Sequence, residues 1–345
     1  MSREEMECLG WKELDLLIVS GDAYVDHPSF GIALIGRLLI SLGYRTGIIA
    51  QPDWKNPDSL KKMGRPCLAC AVSSGNTDSM LNIYTAARRL RKTDDYSPGG
   101  RTGLRPPHAS AVYAQLAKAA FPGIPVILGG VEASMRRIAH YDYWQDKIKP
   151  SILLDSKADI LIYGMGEKAL AATVKKLKNN MSLYHIRGTA SLLGKKASEE
   201  FRIGDEYIVL PSFEEHFQNK DAIMRSNAIC ESESNPFCAK GLVQWHGERL
   251  LVIEPPQVPL ESAELDELYS LPYSKQPHPF YKEPIPAFEM IKNSITATRG
   301  CPGGCSFCGI GLHQGKFVVS RTQNSIICEI RNLSTKPYYK GTVSD

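Results

Sequence analysis

Long apolar runs are missing from this 345-residue chain. The best stretch, Phe30 to Leu42, is interrupted by Arg37 and falls short of the ~18 apolar residues a membrane span needs. A secretory start is missing too, because MSREEMECLG carries two adjacent acids and no apolar core. Charge of one sign is scarce: 41 Lys plus Arg against 37 Asp plus Glu leave a net +4, too little to imply a nucleic-acid partner. The aromatic residues are not interleaved with a basic stripe, as a single-strand binding platform would require. With 43% apolar residues the chain does not lack a core, which excludes disordered, collagen-like and mini-protein classes. These features predict a cytoplasmic protein with neither a membrane nor a nucleic-acid partner. In that compartment nine cysteines read as thiols or metal ligands rather than disulfides.

What is present first is an alternation. Leu14 to Val19, Gly47 to Ala50, Cys67 to Val72, Val126 to Leu128 and Ile160 to Tyr163 are short aliphatic segments of the kind that form strands buried on both faces. Between them lie amphipathic stretches at Phe30 to Leu42, Asp78 to Leu90, Ala109 to Ala120 and Glu167 to Lys178. The pattern predicts an α/β fold with a parallel sheet covered by helices, whose ligand loops leave the carboxyl ends of the strands. Residues 92 to 107, with Pro98-Gly99 and Pro106-Pro107, read as a mobile surface loop with a possible lid or binding role.

After about residue 190 the pattern changes. Two hairpins are predicted, Phe201–Ile203 with Tyr207–Leu210 and Leu242–Trp245 with Leu250–Ile253. Ser212 and Glu215 have capping-box spacing, which predicts a helix from Phe213 to about Ser226. Five prolines between Pro272 and Pro286 mark an extended connector. A strand over Ile291–Thr298, a helix over Gln323–Asn332 and a strand over Lys340–Val343 then make one βαβ unit.

Just after the first strand of that unit stands Cys301-Pro-Gly-Gly-Cys305-Ser-Phe-Cys308, the most specific feature of the chain. Glycine-rich turns let three thiols converge on one centre, and thiolates suit iron-sulfur clusters or zinc. Three ligands on a four-iron cluster leave one iron open to a non-protein ligand, whereas ferredoxin spacings bring a fourth cysteine. The alternatives are a structural zinc site, with His313 or Cys328 as fourth ligand, and three unconnected thiols. From residue 296 onward six basic residues face two acids, a field suited to an anionic cluster or ligand, with Arg299 and Lys316 nearest to the cysteines.

Cys-x3-Cys-x2-Cys with Phe307 before the last cysteine resembles the cluster loop of radical S-adenosylmethionine (SAM) enzymes. The words SGDAYVDHPSFG (20–31), AQPDW (50–54), LGGVEASMRR (128–137), HPFYKEPIPAFEMIK (278–292) and RGCPGGCSFC (299–308) resemble the YgiQ family of radical SAM proteins over essentially the whole chain. The resemblance implies a flavodoxin-like, cobalamin-binding-like domain over 1–190, a connecting α+β region with its Pro-rich linker over 191–290, and the start of a radical SAM (β/α) barrel over 291–345. It implies that Cys301, Cys305 and Cys308 hold a [4Fe-4S] cluster whose open iron takes SAM. It also implies an electron donor such as a flavodoxin or ferredoxin, and reductive cleavage of SAM to a 5′-deoxyadenosyl radical acting on an unknown substrate. Bound cobalamin is not expected: the Asp-x-His-x-x-Gly signature is unmet, since Asp26 stands beside His27. A full barrel needs about 200 residues, so 291–345 read as its opening and the chain as a truncated member. The alternatives are a catalytically inactive fragment acting as an α/β binding module and a structural metal-site protein.

The remaining signals divide between ligand contacts and plain structure. Asp22, Asp26 and His27 follow the first strand, with Ser29 as a helix-cap candidate. Gly129-Gly130 with Glu132, and Gly164-Met-Gly166-Glu167, follow two others, while Arg136-Arg137 read as a solvated helix face. His313 reads as an exposed loop residue or a donor near the cluster. Cys67 and Cys70, three apart on a strand, are expected on opposite faces, and Cys8, Cys230, Cys238 and Cys328 show no ligand spacing.

Overall fold

The five aliphatic segments form strands β1 (Leu16–Ser20), β2 (Thr46–Ala50), β3 (Ala69–Ser73), β4 (Val126–Gly129) and β5 (Ile160–Ile162) in a computed structural model that describes residues 1–305 and 307–344. They lie parallel in the order β2-β1-β3-β4-β5, the flavodoxin-like arrangement. Side chains alternate between the faces. Leu16 and Ile18 pack with Leu39 of helix α1 (Gly31–Ser41), whereas Leu17 and Val19 share a core with Tyr113 and Ala117 of α2 (Ala109–Ala120). All seven of these side chains are buried, each large aliphatic one contributing about 1.5–3 kcal/mol.

The sheet continues beyond the parallel half. Strands β6 (Thr189–Leu192), β7 (Tyr207–Val209), β8 (Gly241–His246) and β9 (Arg249–Ile253) extend it in the order β5-β6-β9-β8-β7. The β8–β9 hairpin turns at Gly247 as expected. The other expected hairpin does not form: Phe201 ends a helix over Lys195–Glu200, and β7 pairs parallel to β8 after a helical crossover. That crossover is two helices, over Phe213–Gln218 and Lys220–Ser232, and Ser212 and Glu215 make the capping box of the first.

Three helices beside α1 and α2 position the site. They are α3 (Val131–Met135), α4 (Glu167–Lys178) and α5 (Lys220–Ser232). Helical periodicity over Asp78–Leu90 yields only Ser79–Ile83, because Arg88 takes a left-handed φ of 57° and Tyr84 bridges back to Leu90.

The Pro-rich segment carries no helix or strand between Leu271 and Pro284, yet it is tied to the sheet. Tyr24 N donates to Tyr281 Oη at 2.9 Å, Ser274 N donates to Asp26 at 2.8 Å, and buried Lys275 meets Glu329 at 2.6 Å. Glu329 lies on α6 (Gln323–Ser334). The expected strands flanking α6 do not form among the described residues: Thr298 and Arg299 pair antiparallel with Ser320 and Val319 ahead of the helix, and a single parallel bridge, Ser294 to Ser344, is all that remains of the expected βαβ pairing. Residues 286–291 are helical rather than extended. No described helix is long and apolar enough to cross a membrane.

Candidate functional site

The loops at the carboxyl ends of β1 and β3 enclose charge instead of presenting it. Asp22 is buried and accepts from Asn76 N at 2.6 Å and from Arg105 Nη1 at 2.7 Å. Arg105, 2% exposed, also grips Asp94 through Nε at 2.7 Å and Nη2 at 2.9 Å, and Nη1 reaches Ser74 O at 3.2 Å. Every guanidinium nitrogen therefore has a partner. Residues 92–107 are thus pinned, against the expectation of a mobile surface loop, because a buried arginine with two carboxylates holds them down.

Asp26 and His27 are buried in the same region. Asp26 pairs with Arg37, and His27 Nδ1 accepts from Ser29 N at 3.1 Å while its Nε2 has no partner. Burial pushes the His27 pKa down to about 3, so the ring is neutral. Ser29 does not cap α1; Asn76 Oδ1 accepts from Gly31 N instead, at 3.1 Å.

The cysteine loop packs on the carboxyl ends of β4 and β5. Arg299 Nη1 meets Glu167 Oε1 at 2.5 Å, and Arg299 Nε donates to Tyr269 Oη at 3.1 Å. His313 Nδ1 lies 3.0 Å from Ser134 Oγ. That hydroxyl donates to Gly130 O at 2.9 Å and accepts from Gly164 N at 3.2 Å, which assigns the Nδ1 proton to His313 as donor. Burial pushes the His313 pKa down to about 4, so the ring is neutral at pH 7; its expected exposure is overturned by this contact with α3.

The loop's own backbone is shaped by glycine. Gly300 has a φ of 94°, and a Cβ there would stand 2.0 Å from Phe317 O, so no other residue fits. Beyond it Cys301 N donates to Gly315 O at 2.9 Å and Cys308 N to Cys305 O at 3.0 Å.

Cys301, Cys305 and Cys308 are free thiols, the first half-buried and the others exposed. A Cβ on Gly303 would stand 3.4 Å from Cys301 Sγ and 3.6 Å from Cys305 Sγ, so glycine keeps open a space between two of the sulfurs. Ser306 lies outside the described residues. Among the described residues no three His, Cys, Asp or Glu side chains converge as the ligands of a single ion do. A four-iron cluster asks something different, since each thiolate takes its own iron and the sulfurs must ring a volume. The donor chemistry and the open glycine between sulfurs fit that demand. Arg299 and Lys316, however, are not free to complement a cluster's charge: the first is paired with Glu167 and the second with Glu231.

Between the loop and the sheet edge lies an open cleft bounded by Arg137, Tyr163, Glu167, Cys230, Gly300 and His313. The reading of Arg136-Arg137 as a solvated face is corrected here. Arg136 pairs with Asp78, and Arg137 is 7% exposed, its guanidinium 4.8 Å from the centre of the Tyr163 ring. Glu132 is structural, its two oxygens accepting from Ser79 N at 2.8 Å and Ser110 N at 2.9 Å. Cys67 is exposed because it lies two residues before β3, which is buried on both faces, whereas Cys70 is buried within the strand and its pKa is raised by burial to about 12. Sequence reasoning missed Arg137, Ser134 and Tyr163. Their only signal was the word LGGVEASMRR, which contains two of them.

Residues 1–294 match a family model described as Radical SAM N-terminal. Over its full length the chain is 48% identical to a UPF0313 protein of Methanocella arvoryzae and 46% identical to one of Geobacter sulfurreducens. In both cases it spans 57% of the relative's length. The similarity to these relatives therefore extends over 295–345, beyond the family-model match. Among solved structures, the radical SAM methyltransferase TsrM of Kitasatospora setae, with tryptophan substrate and a SAM analog bound, is similar in fold. The TM-score is 0.50 at 14% identity, covering 92% of this chain and 45% of that one.

Proposed function

Because the chain belongs to the UPF0313, or YgiQ, family of radical SAM proteins, we propose that Cys301, Cys305 and Cys308 hold a [4Fe-4S] cluster used to cleave SAM reductively. The observation that carries the reading is the glycine-built thiol loop seated on the carboxyl edge of the α/β sheet, where ligand sites of this architecture form. When bound, the cluster would supply an electron to the SAM sulfonium and break a carbon-sulfur bond. The chain's own residues hold the loop. Arg299 bridges to Glu167, neutral His313 donates to Ser134, and Gly300 makes the turn into Cys301. These contacts fix the thiol loop relative to the cleft. A low-potential electron donor such as a flavodoxin or ferredoxin is the partner this chemistry needs.

The reading includes no cobalamin. His27 is fully buried in a neutral state, and the β1–β3 edge is filled by Asp22, Arg105 and Asp94. Turnover is proposed for the whole protein, of whose relatives' length this chain spans 57%.

The test is anaerobic reconstitution with iron and sulfide, reduction, and assay of 5′-deoxyadenosine from SAM. Product that disappears in Cys305→Ala supports the reading. A cluster that forms without product favours an α/β binding module, and retained zinc without labile sulfide overturns the cluster.

A further inference from the structure

The cleft under the cysteine loop contains a cation that the chain leaves unneutralised. Arg137 Nη1 donates to Ser134 O at 2.7 Å, but its Nε has no partner, and among the described residues it joins no ion pair. A guanidinium held out of water without a carboxylate is costly, and such charges are normally paired. Arg105 shows how this chain treats a buried guanidinium that serves structure alone: it supplies two carboxylates. At Arg137 the open side faces the cleft, whose lining carries five basic and three acidic side chains and is otherwise mainly apolar. Three of those basic groups, Lys168, Arg299 and Lys316, are already matched to glutamates, which leaves Arg137 as the buried one without a match.

We propose that the cleft binds a small organic anion, its carboxylate or phosphate paired with Arg137 and its apolar body against Tyr163, Leu242 and Leu312. A planar guanidinium suits either oxyanion through paired N–H donors. The inference deepens the proposed function and rests on it only in naming the anion a substrate. Binding itself needs Arg137 and the cleft walls, of which Gly300 and Leu312 belong to the cysteine loop.

The probes are phenylacetate, phenyl phosphate and the neutral phenylacetamide, followed by ligand-observed NMR titration on the full chain. The same titration on Cys301→Ser/Cys305→Ser/Cys308→Ser separates this inference from the cluster reading. At least one anion is expected to bind about ten-fold more tightly than phenylacetamide in both proteins, and the stronger anion tells carboxylate from phosphate. Arg137→Met is expected to abolish that preference and to raise Tm, because the unpaired charge is gone; Arg137→Lys is expected to keep part of the preference. Equal binding of all three probes, a preference that survives Arg137→Met, or displacement of the anion by SAM overturns the proposal.

Discussion

Two stretches of one sheet edge treat a buried arginine in opposite ways. Where β1 and β3 end, Arg105 is saturated by Asp22, Asp94 and Ser74 O, and the loops close over it. Where β4 and β5 end, Arg137 is half-satisfied beside an open cleft, with the cysteine loop as the opposite wall. A flavodoxin-like sheet places its ligand crevice at the β1/β3 switch point. In this molecule that crevice is filled by side chains, and the buried guanidinium without a carboxylate sits two strands further along. Saturated charge marks the part of the edge that holds the fold together. Unsaturated charge marks the part that awaits a ligand.

The largest effect expected on either side is loss of the cluster. Alanine at Cys301, Cys305 or Cys308 removes bound iron, read by absorbance, while the far-ultraviolet CD stays unchanged because the thiols are partly or fully exposed. Next is the sealed edge. Arg105→Met strands two buried carboxylates and destabilises the protein by about 3–5 kcal/mol in urea denaturation. The matching substitution at the open edge has the opposite sign: Arg137→Met is stabilising by about 1 kcal/mol. Destabilisation by Arg137→Met as large as that by Arg105→Met would erase the contrast.

A smaller effect follows from pH. The folded-state pKa of His313 is lowered from 6.5 to about 4, so the unfolded chain binds more protons between those values. Its contribution to stability is therefore full above pH 6.5 and is lost as pH falls toward 4. Denaturation midpoints of His313→Gln should lack that part of the slope, which reaches about 1.4 kcal/mol per pH unit for one imidazole. Smallest of all is Cys67→Ser, at an exposed site away from both loops, which should stay within about 0.5 kcal/mol of the parent.

Much of this fold was legible because its strands are short, aliphatic and bounded by glycine. β1 to β5 fall within two residues of the expected segments, and α4 coincides with the amphipathic run at Glu167–Lys178. Pairing over long crossovers was not legible. Tyr207–Val209 carries the same local pattern whether it meets Phe201 or Gly241, and a helical crossover decides for Gly241. Single-residue roles at the cleft were hidden for a different reason. Two adjacent arginines after a short helix look alike in sequence, yet Asp78 claims Arg136 while Arg137 has only Ser134 O and the Tyr163 ring and, among the described residues, no carboxylate. Arg105 likewise owes its burial to Asp22, 83 residues earlier, which no local window contains. The cysteine spacing needed no such context, because glycines and thiols that share one short loop are brought together by the chain itself.

The central claim is that the open edge carries an iron-sulfur site, and the most direct measurement is metal and labile sulfide content after anaerobic reconstitution. The account predicts about four irons and four sulfides per chain, falling to background in Cys301→Ala/Cys305→Ala/Cys308→Ala. Zinc bound in place of iron, or iron retained by that triple variant, would contradict it.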